Sequence, residues 1–171
     1  PLRADPGTPL KRQLVDSRWV RVDVSPEAAF TPIQCIGGNR GWYVGDWLWS
    51  LRGALDLVLG GVGTRRGRRH PIELAVGDTV DFWRVEAYEQ DRLLRLHAEM
   101  KLPGKAWLQF RVEPDGDGSL IRQTAFFEPR GIFGHAYWMA MAPFHTVMFR
   151  GMLGTIAERA RGAEQSQPSD V

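Results

Sequence analysis

The sequence predicts an α+β fold in which a curved antiparallel sheet lies against one long C-terminal helix. Between residues 79 and 127, four segments of alternating apolar character follow one another with short turn-forming breaks, the pattern of an antiparallel meander. From 135 to 160, apolar side chains recur at steps of three and four, the period of a helix with one dry face. Alternation within the strands also leaves the sheet with one apolar and one polar face, so something must cover the apolar one.

Taken in order, residues 1–14 are polar, rich in Pro and Gly, and expected to be flexible. The chain starts at Pro1 rather than Met, so processing or excision from a longer chain is expected. Over 17–24, Trp19, Val20, Val22 and Val24 are set among charges and predict a first strand. Ser25-Pro26-Glu27 then supplies an N-cap followed by proline at the first helical position, predicting a short helix over 26–34 that stops at Gly37-Gly38. Val44, Trp47, Leu48, Leu51, Leu55 and Val58 have helical spacing and predict a helix over 44–59, ended by Gly60-Gly61.

Strands are expected over 79–89, 92–101, 106–113 and 119–127, separated by Gln90-Asp91, Pro103-Gly104 and the run Pro114-Asp115-Gly116-Asp117-Gly118. Parity sets Leu94, Leu96, Ala98 and Met100 on one face against Arg95, His97, Glu99 and Lys101. Likewise Ala106, Leu108, Phe110 and Val112 oppose Trp107, Gln109, Arg111 and Glu113, while Ile121, Gln123, Ala125 and Phe127 share the dry side of the last strand. The covering helix presents Trp138, Met141, His145, Met148, Met152 and Ile156, with Tyr137, Phe144 and Phe149 widening the stripe. Pro143 interrupts this pattern and predicts a kink or a second helix starting there. The folded domain is expected over 15–160 and a disordered tail over 161–171. A long helix laid across a curved antiparallel sheet is the helix-grip arrangement, and curvature away from the helix opens a cavity between them.

Composition narrows the function. With 43% hydrophobic, 25% charged and 11% aromatic residues, the chain is neither disordered nor low-complexity. Its apolar runs fall short of the roughly 20 residues of a membrane span, and no signal-peptide pattern opens it, so a soluble cytoplasmic domain is expected. The single Cys35 excludes an internal disulfide. A net charge of +2 is near balance, and the one dense basic cluster is Arg65, Arg66, Arg68, Arg69 and His70. Without a helix-turn-helix pattern, or aromatics set among its arginines, that cluster is a weak nucleic-acid footprint, and nucleic acid is not an expected partner. The four histidines show no metal-ligand spacing and no Gly-x-Ser-x-Gly elbow occurs, so neither a metal site nor nucleophilic catalysis is expected.

Several spaced words stand out: Ile36-Gly37-Gly38 with Gly41-Trp42, Trp47-Leu48-Trp49 through Arg52-Gly53-x-Leu55-Asp56, and Gly67-Arg68-Arg69. Gly77-Asp78 follows with Phe82-Trp83-Arg84-Val85, then Glu99-Met100-Lys101-Leu102-Pro103-Gly104 and Ala106-Trp107-Leu108. Pro129-Arg130-Gly131, Tyr137-Trp138 and Pro143-Phe144-His145 close the series. Over about residues 14–160 the chain resembles an uncharacterised bacterial family of START-like (polyketide cyclase and birch-pollen-allergen-like) domains of the SRPBCC superfamily. The resemblance implies the helix-grip fold and a pocket, with no established reaction. Because such domains occur alone or fused behind NAD(P)-binding domains of the atypical short-chain dehydrogenase or NmrA type, it also implies an NAD(P)-dependent oxidoreductase as partner or fused domain. In this chain Gly60-Gly61-x-Gly63 follows a helix rather than a strand, so no dinucleotide site and no cofactor are expected.

A cavity rich in Trp, Phe, Met and Leu with a few polar groups is the default small-molecule site. The expected lining is Trp83, Leu96, Met100, Leu108, Phe110, Gln123, Phe127, Tyr137, Trp138, Met141 and His145. His145, Tyr137 and Gln123 are the catalytic candidates, His145 as general acid or base near neutral pH, and parity also turns Asp81 inward. Each has a plainer role beside that one. His145 can donate to a backbone carbonyl, Tyr137 and Trp138 can be core residues with satisfied tips, and Asp81 can pair with an arginine. A buried Gln123 amide needs partners, and a ligand is one source of them. Asp46 suits the start of its helix, Asp56 suits pairing with Arg52, and Glu86 and Glu99 are expected in solvent. Three functions remain: a module binding a small apolar or aromatic ligand, a cofactor-independent cyclase or isomerase using the same pocket, and an interaction or homodimerisation domain. The last is suggested by Trp42, Trp47 and Trp49, whose aromatic area exceeds what one helix face buries.

Overall fold

The computed structural model describes residues 13–38, 41–43, 68–70 and 72–165. The expected helix over 44–59, with Asp46, Asp56, Trp47 and Trp49, and the Gly60-Gly61-x-Gly63 stretch lie outside the described residues, as do Arg65 and Arg66.

The fold is a curved six-stranded antiparallel sheet in the order β1-β6-β5-β4-β3-β2, wrapped on a long C-terminal helix, which is the helix-grip topology. Strand β1 (Leu14–Val22) pairs along its whole length with β6, Leu14 opposite Phe127 and Val22 opposite Ser119. It starts and stops earlier than the expected 17–24 because the partner's length sets its ends, and apolar alternation cannot see the partner. Helix α1 (Pro26–Gln34) matches the expected bounds, with the Ser25 side chain accepting from the Ala28 amide. It buries Ala29, Phe30 and Ile33.

The single strand expected over 79–89 is two, β2 (Thr79–Val80) and β3 (Trp83–Glu89). Asp81 separates them at φ 55°, a left-handed conformation tolerated by Asp better than by most residues. Its carboxylate accepts from the Trp42 indole at 2.9 Å and the Gly38 amide at 3.2 Å. Asp81 therefore pins the loop after α1, and among the described residues these two donors hold its carboxylate in place of the expected arginine. Strands β4 (Leu93–Ala98), β5 (Gly104–Asp115) and β6 (Gly118–Pro129) complete the meander, with Asp115 opposite Gly118 at the expected turn.

Helix α2 (Gly131–Gln165) runs unbroken through Pro143 and on past residue 160, so no second helix begins at 143. Pro143 lies on an exposed stretch, and Met139, whose carbonyl loses its helical donor, is 74% exposed, so water can meet the lost bond. The core joins Phe30 and Ile33 of α1, Leu96, Leu108, Phe110 and Ile121 of the sheet, and Met152 and Ile156 of α2, each under 2% exposed. Full burial of each such side chain stabilises by roughly 1.5–3 kcal/mol.

The other sheet face is less open than alternation alone suggests. Arg95 lies 5.0 Å over Phe126 and 5.7 Å over Trp107, and both rings are under 10% exposed. Glu86, expected in solvent, pairs with Arg95 at 2.8 Å and accepts from the Trp107 indole at 3.2 Å. Glu99 pairs with Arg84. The described part of the basic cluster also has structural work: Arg68 donates to the carbonyls of Gln34, Ile36, His70 and Ile72, and Arg69 pairs with Asp78. His70 Nδ1 accepts from the amides of Ile72 and Glu73.

Candidate functional site

Small residues make the site. On the inward face, Ala98 of β4, Ala106 of β5 and Ala125 of β6 lie on neighbouring strands, where further along the same faces Leu96, Leu108, Phe110 and Phe127 are large. Opposite them stand Tyr137, Trp138, His145 and Phe149 of α2, and between floor and roof is a cavity of about 60 Å³. Trp83, Met100, Leu102, Leu108 and Phe127 wall it, with Trp107 and Phe126 also contributing.

The start of the roof is anchored by close backbone contact. The Arg130 amide donates to the Pro103 carbonyl at 2.9 Å. Gly134 sits so near that a Cβ there would meet that carbonyl oxygen at 2.5 Å and Pro129 at 2.8 Å, so only glycine fits. From this anchor the aromatic rings interlock. Trp138 stacks on Phe127 at 5.6 Å with the rings 8° apart, and Tyr137 packs on the same ring at 5.7 Å. His145 meets Trp138 edge-on at 5.6 Å and stacks on Phe149 at 5.0 Å.

Of the expected lining, Trp83, Met100, Leu108, Phe127, Tyr137, Trp138 and His145 meet at the cavity. Leu96, Phe110 and Gln123 are fully buried away from its wall, and Met141 is half-buried outside it. The structure thus brings His145 and Tyr137 together and sets Gln123 one inward position further along β6 from Ala125. Sequence reasoning passed over the three alanines as cavity formers. Their signal was available, since small residues recur at inward positions of three neighbouring strands. Phe149, expected only to widen the apolar stripe of the helix, joins the wall, and Leu102 lies beyond β4, where alternation no longer applies.

None of the lining residues is acidic or basic apart from His145, so the cavity favours an uncharged occupant. The Trp83 indole N–H is buried and has no hydrogen-bond partner among the described residues. A cavity needs roughly 10–15 Å³ to hold one water, whereas ligand pockets run to about 300–1,000 Å³. At about 60 Å³ the cavity as it stands suits a few waters or a small fragment, and a larger ligand requires the aromatic roof to move.

A search of curated proteins finds no match. Among solved structures, truncated norcoclaurine synthase from Thalictrum flavum superposes with a TM-score of 0.52 at 14% identity, covering 85% of this chain and 92% of that one. Mll3558 from Rhizobium loti gives 0.50 at 14% identity, covering 86% and 96%. The polyketide-cyclase-like protein Cgl2372 from Corynebacterium glutamicum gives 0.50 at 11% identity, covering 95% and 99%. At such identities the likeness is one of fold, and it agrees with the sheet order and the long helix. No helix among the described residues is long and apolar enough to cross a membrane. A family profile matches residues 10–152, and the chain belongs to that family, described as protein of unknown function (DUF2867).

Proposed function

We propose that the domain binds a small apolar or aromatic molecule in the cavity between sheet and α2. One observation carries this reading: an aromatic roof held off an alanine floor, with no acidic or basic side chain except His145 on the wall. The buried indole N–H of Trp83 supports a ligand with a hydrogen-bond acceptor at that end. Native mass spectrometry of freshly purified protein, compared with its denatured mass, tests the proposal. A bound apolar molecule, lost on replacing Ala125 with Phe, is the expected result. Equal retention by Ala125→Phe would place any bound molecule elsewhere.

A second reading, a cofactor-independent cyclase or isomerase, is favoured by His145 and Tyr137 on one wall. It requires turnover of the captured ligand to fall when His145 becomes Gln. The resemblance further supports an NAD(P)-dependent oxidoreductase that supplies or consumes the ligand, and pull-down with the domain as bait would identify it.

A further inference from the structure

Next to the apolar cavity lies a polar pair, one member fully buried and the other partly, with unused hydrogen-bonding capacity. Gln123 is 1% exposed, and neither its Oε1 nor its Nε2 has a partner among the described residues. Directly across the β1–β6 ladder stands Arg18, whose Nε is likewise buried without a partner. The Nη2 of that guanidinium is engaged: it pairs with Asp16 at 2.9 Å and donates to the Thr146 hydroxyl of α2 at 3.2 Å. A fully buried amide with both ends unsatisfied is costly, and so is rare in native proteins.

The pair adjoins the cavity on both walls. On β6, Ala125 lines the cavity and Gln123 is the next inward residue, about 7 Å along the strand. On α2, His145 lines the cavity and its neighbour Thr146 is the residue bonded to Arg18. We infer that Gln123 and the Nε–H of Arg18 form a polar subsite that reads one end of the cavity's ligand. This rests on the binding function proposed above and names its ligand class.

The chemistry of the three atoms defines that class. Gln123 Nε2 and Arg18 Nε each donate toward an oxygen, and Gln123 Oε1 accepts from an N–H or O–H. A planar apolar body ending in a primary amide or an undissociated carboxylic acid satisfies all three. An ionised carboxylate fits poorly, because Asp16 already neutralises Arg18 and an anion leaves Gln123 Oε1 without a donor.

The experiment compares two probes of the same ring size, 2-naphthamide and 2-methylnaphthalene, by calorimetry and by the side-chain amide signals of ¹⁵N-labelled protein. The Gln123 signals are assigned by their loss in Gln123→Met. 2-Naphthamide is expected to bind about tenfold tighter or better and to shift the Gln123 amide. In Gln123→Met the preference should vanish while 2-methylnaphthalene binds as before. Arg18→Lys keeps the charge beside Asp16 but removes the Nε–H, and should reduce the preference in a protein whose sheet is otherwise unchanged. Equal affinities for the two probes, or a preference that survives both variants, would overturn the subsite and leave the apolar cavity standing. Failure of both probes to bind would overturn the cavity reading and the subsite with it.

Discussion

The two ends of α2 solve opposite problems with the same apolar alphabet. From Met148 to Ala160 the helix follows a simple pattern: Met152, Ile156 and Ala160 are fully buried, Met148, Phe149, Leu153 and Ala157 nearly so, and Glu158 and Arg159 face outward. Arg159 also lies 4.1 Å over the ring of Tyr43, just beyond α1. From Gly131 to Val147 the pattern fails. No Asp, Glu, Lys or Arg occurs there, only Gly134 is buried, and Ile132, Phe133, Met139 and Val147 are each more than 70% exposed. One end of the helix completes a core. The other roofs a cavity over alanines and turns a second apolar face outward, and such a break in binary pattern marks the part of a fold shaped by something besides folding.

The sharpest way to break this comparison is to truncate one large side chain in each half. Ile156→Ala, in the closed half, should cost about 2–5 kcal/mol of unfolding free energy in urea. Trp138→Ala should cost less than half as much, because its ring is only partly buried, yet it should abolish capture of an apolar ligand. Equal losses would mean that the roof is as firmly part of the core as the closed half.

A gentler version adds volume instead. Ala125→Leu fills space that the cavity already offers, so stability should change by no more than about 1 kcal/mol while ligand capture is lost. Ala157→Leu inserts the same atoms where the site is 2% exposed and should cost about 1–3 kcal/mol. If Ala125→Leu proves the more damaging of the two, the floor is already tightly packed and the cavity is not a binding space.

The same contrast explains what was legible in the sequence. Strand parity and helical spacing report which face of an element is dry, and they placed Leu96, Phe110, Met152 and Ile156 in the interior correctly. They do not report how far apart two dry faces stand. That separation depends on where the roof is anchored, here through Gly134 against Pro103 and Pro129, and on small residues aligning across three strands. Seven of the expected lining residues accordingly meet at the cavity, while Leu96 and Phe110, equally apolar and inward, pack into the core instead. The single strand expected over 79–89 failed for a local reason: left-handed Asp81 ends parity at that point, and nothing in the alternation of 79–89 announces it.

The smallest expected effect concerns the outward face of the open half. Met139 and Val147 lie eight positions apart, just over two helical turns, so they share one side of α2. Replacing Met139 with Glu and Val147 with Lys removes exposed apolar surface without touching the cavity wall. Stability should stay within about 0.5 kcal/mol of the parent, because surface changes away from specific contacts cost little. Ligand capture should also be unchanged. Sedimentation of parent and variant across a concentration series adds the third arm. If the face mediates self-association, the variant sediments as a monomer where the parent does not. A loss above about 1 kcal/mol at low concentration would instead show that this face is packed in the monomer. The two halves of the helix would then differ in what covers them rather than in whether they are covered.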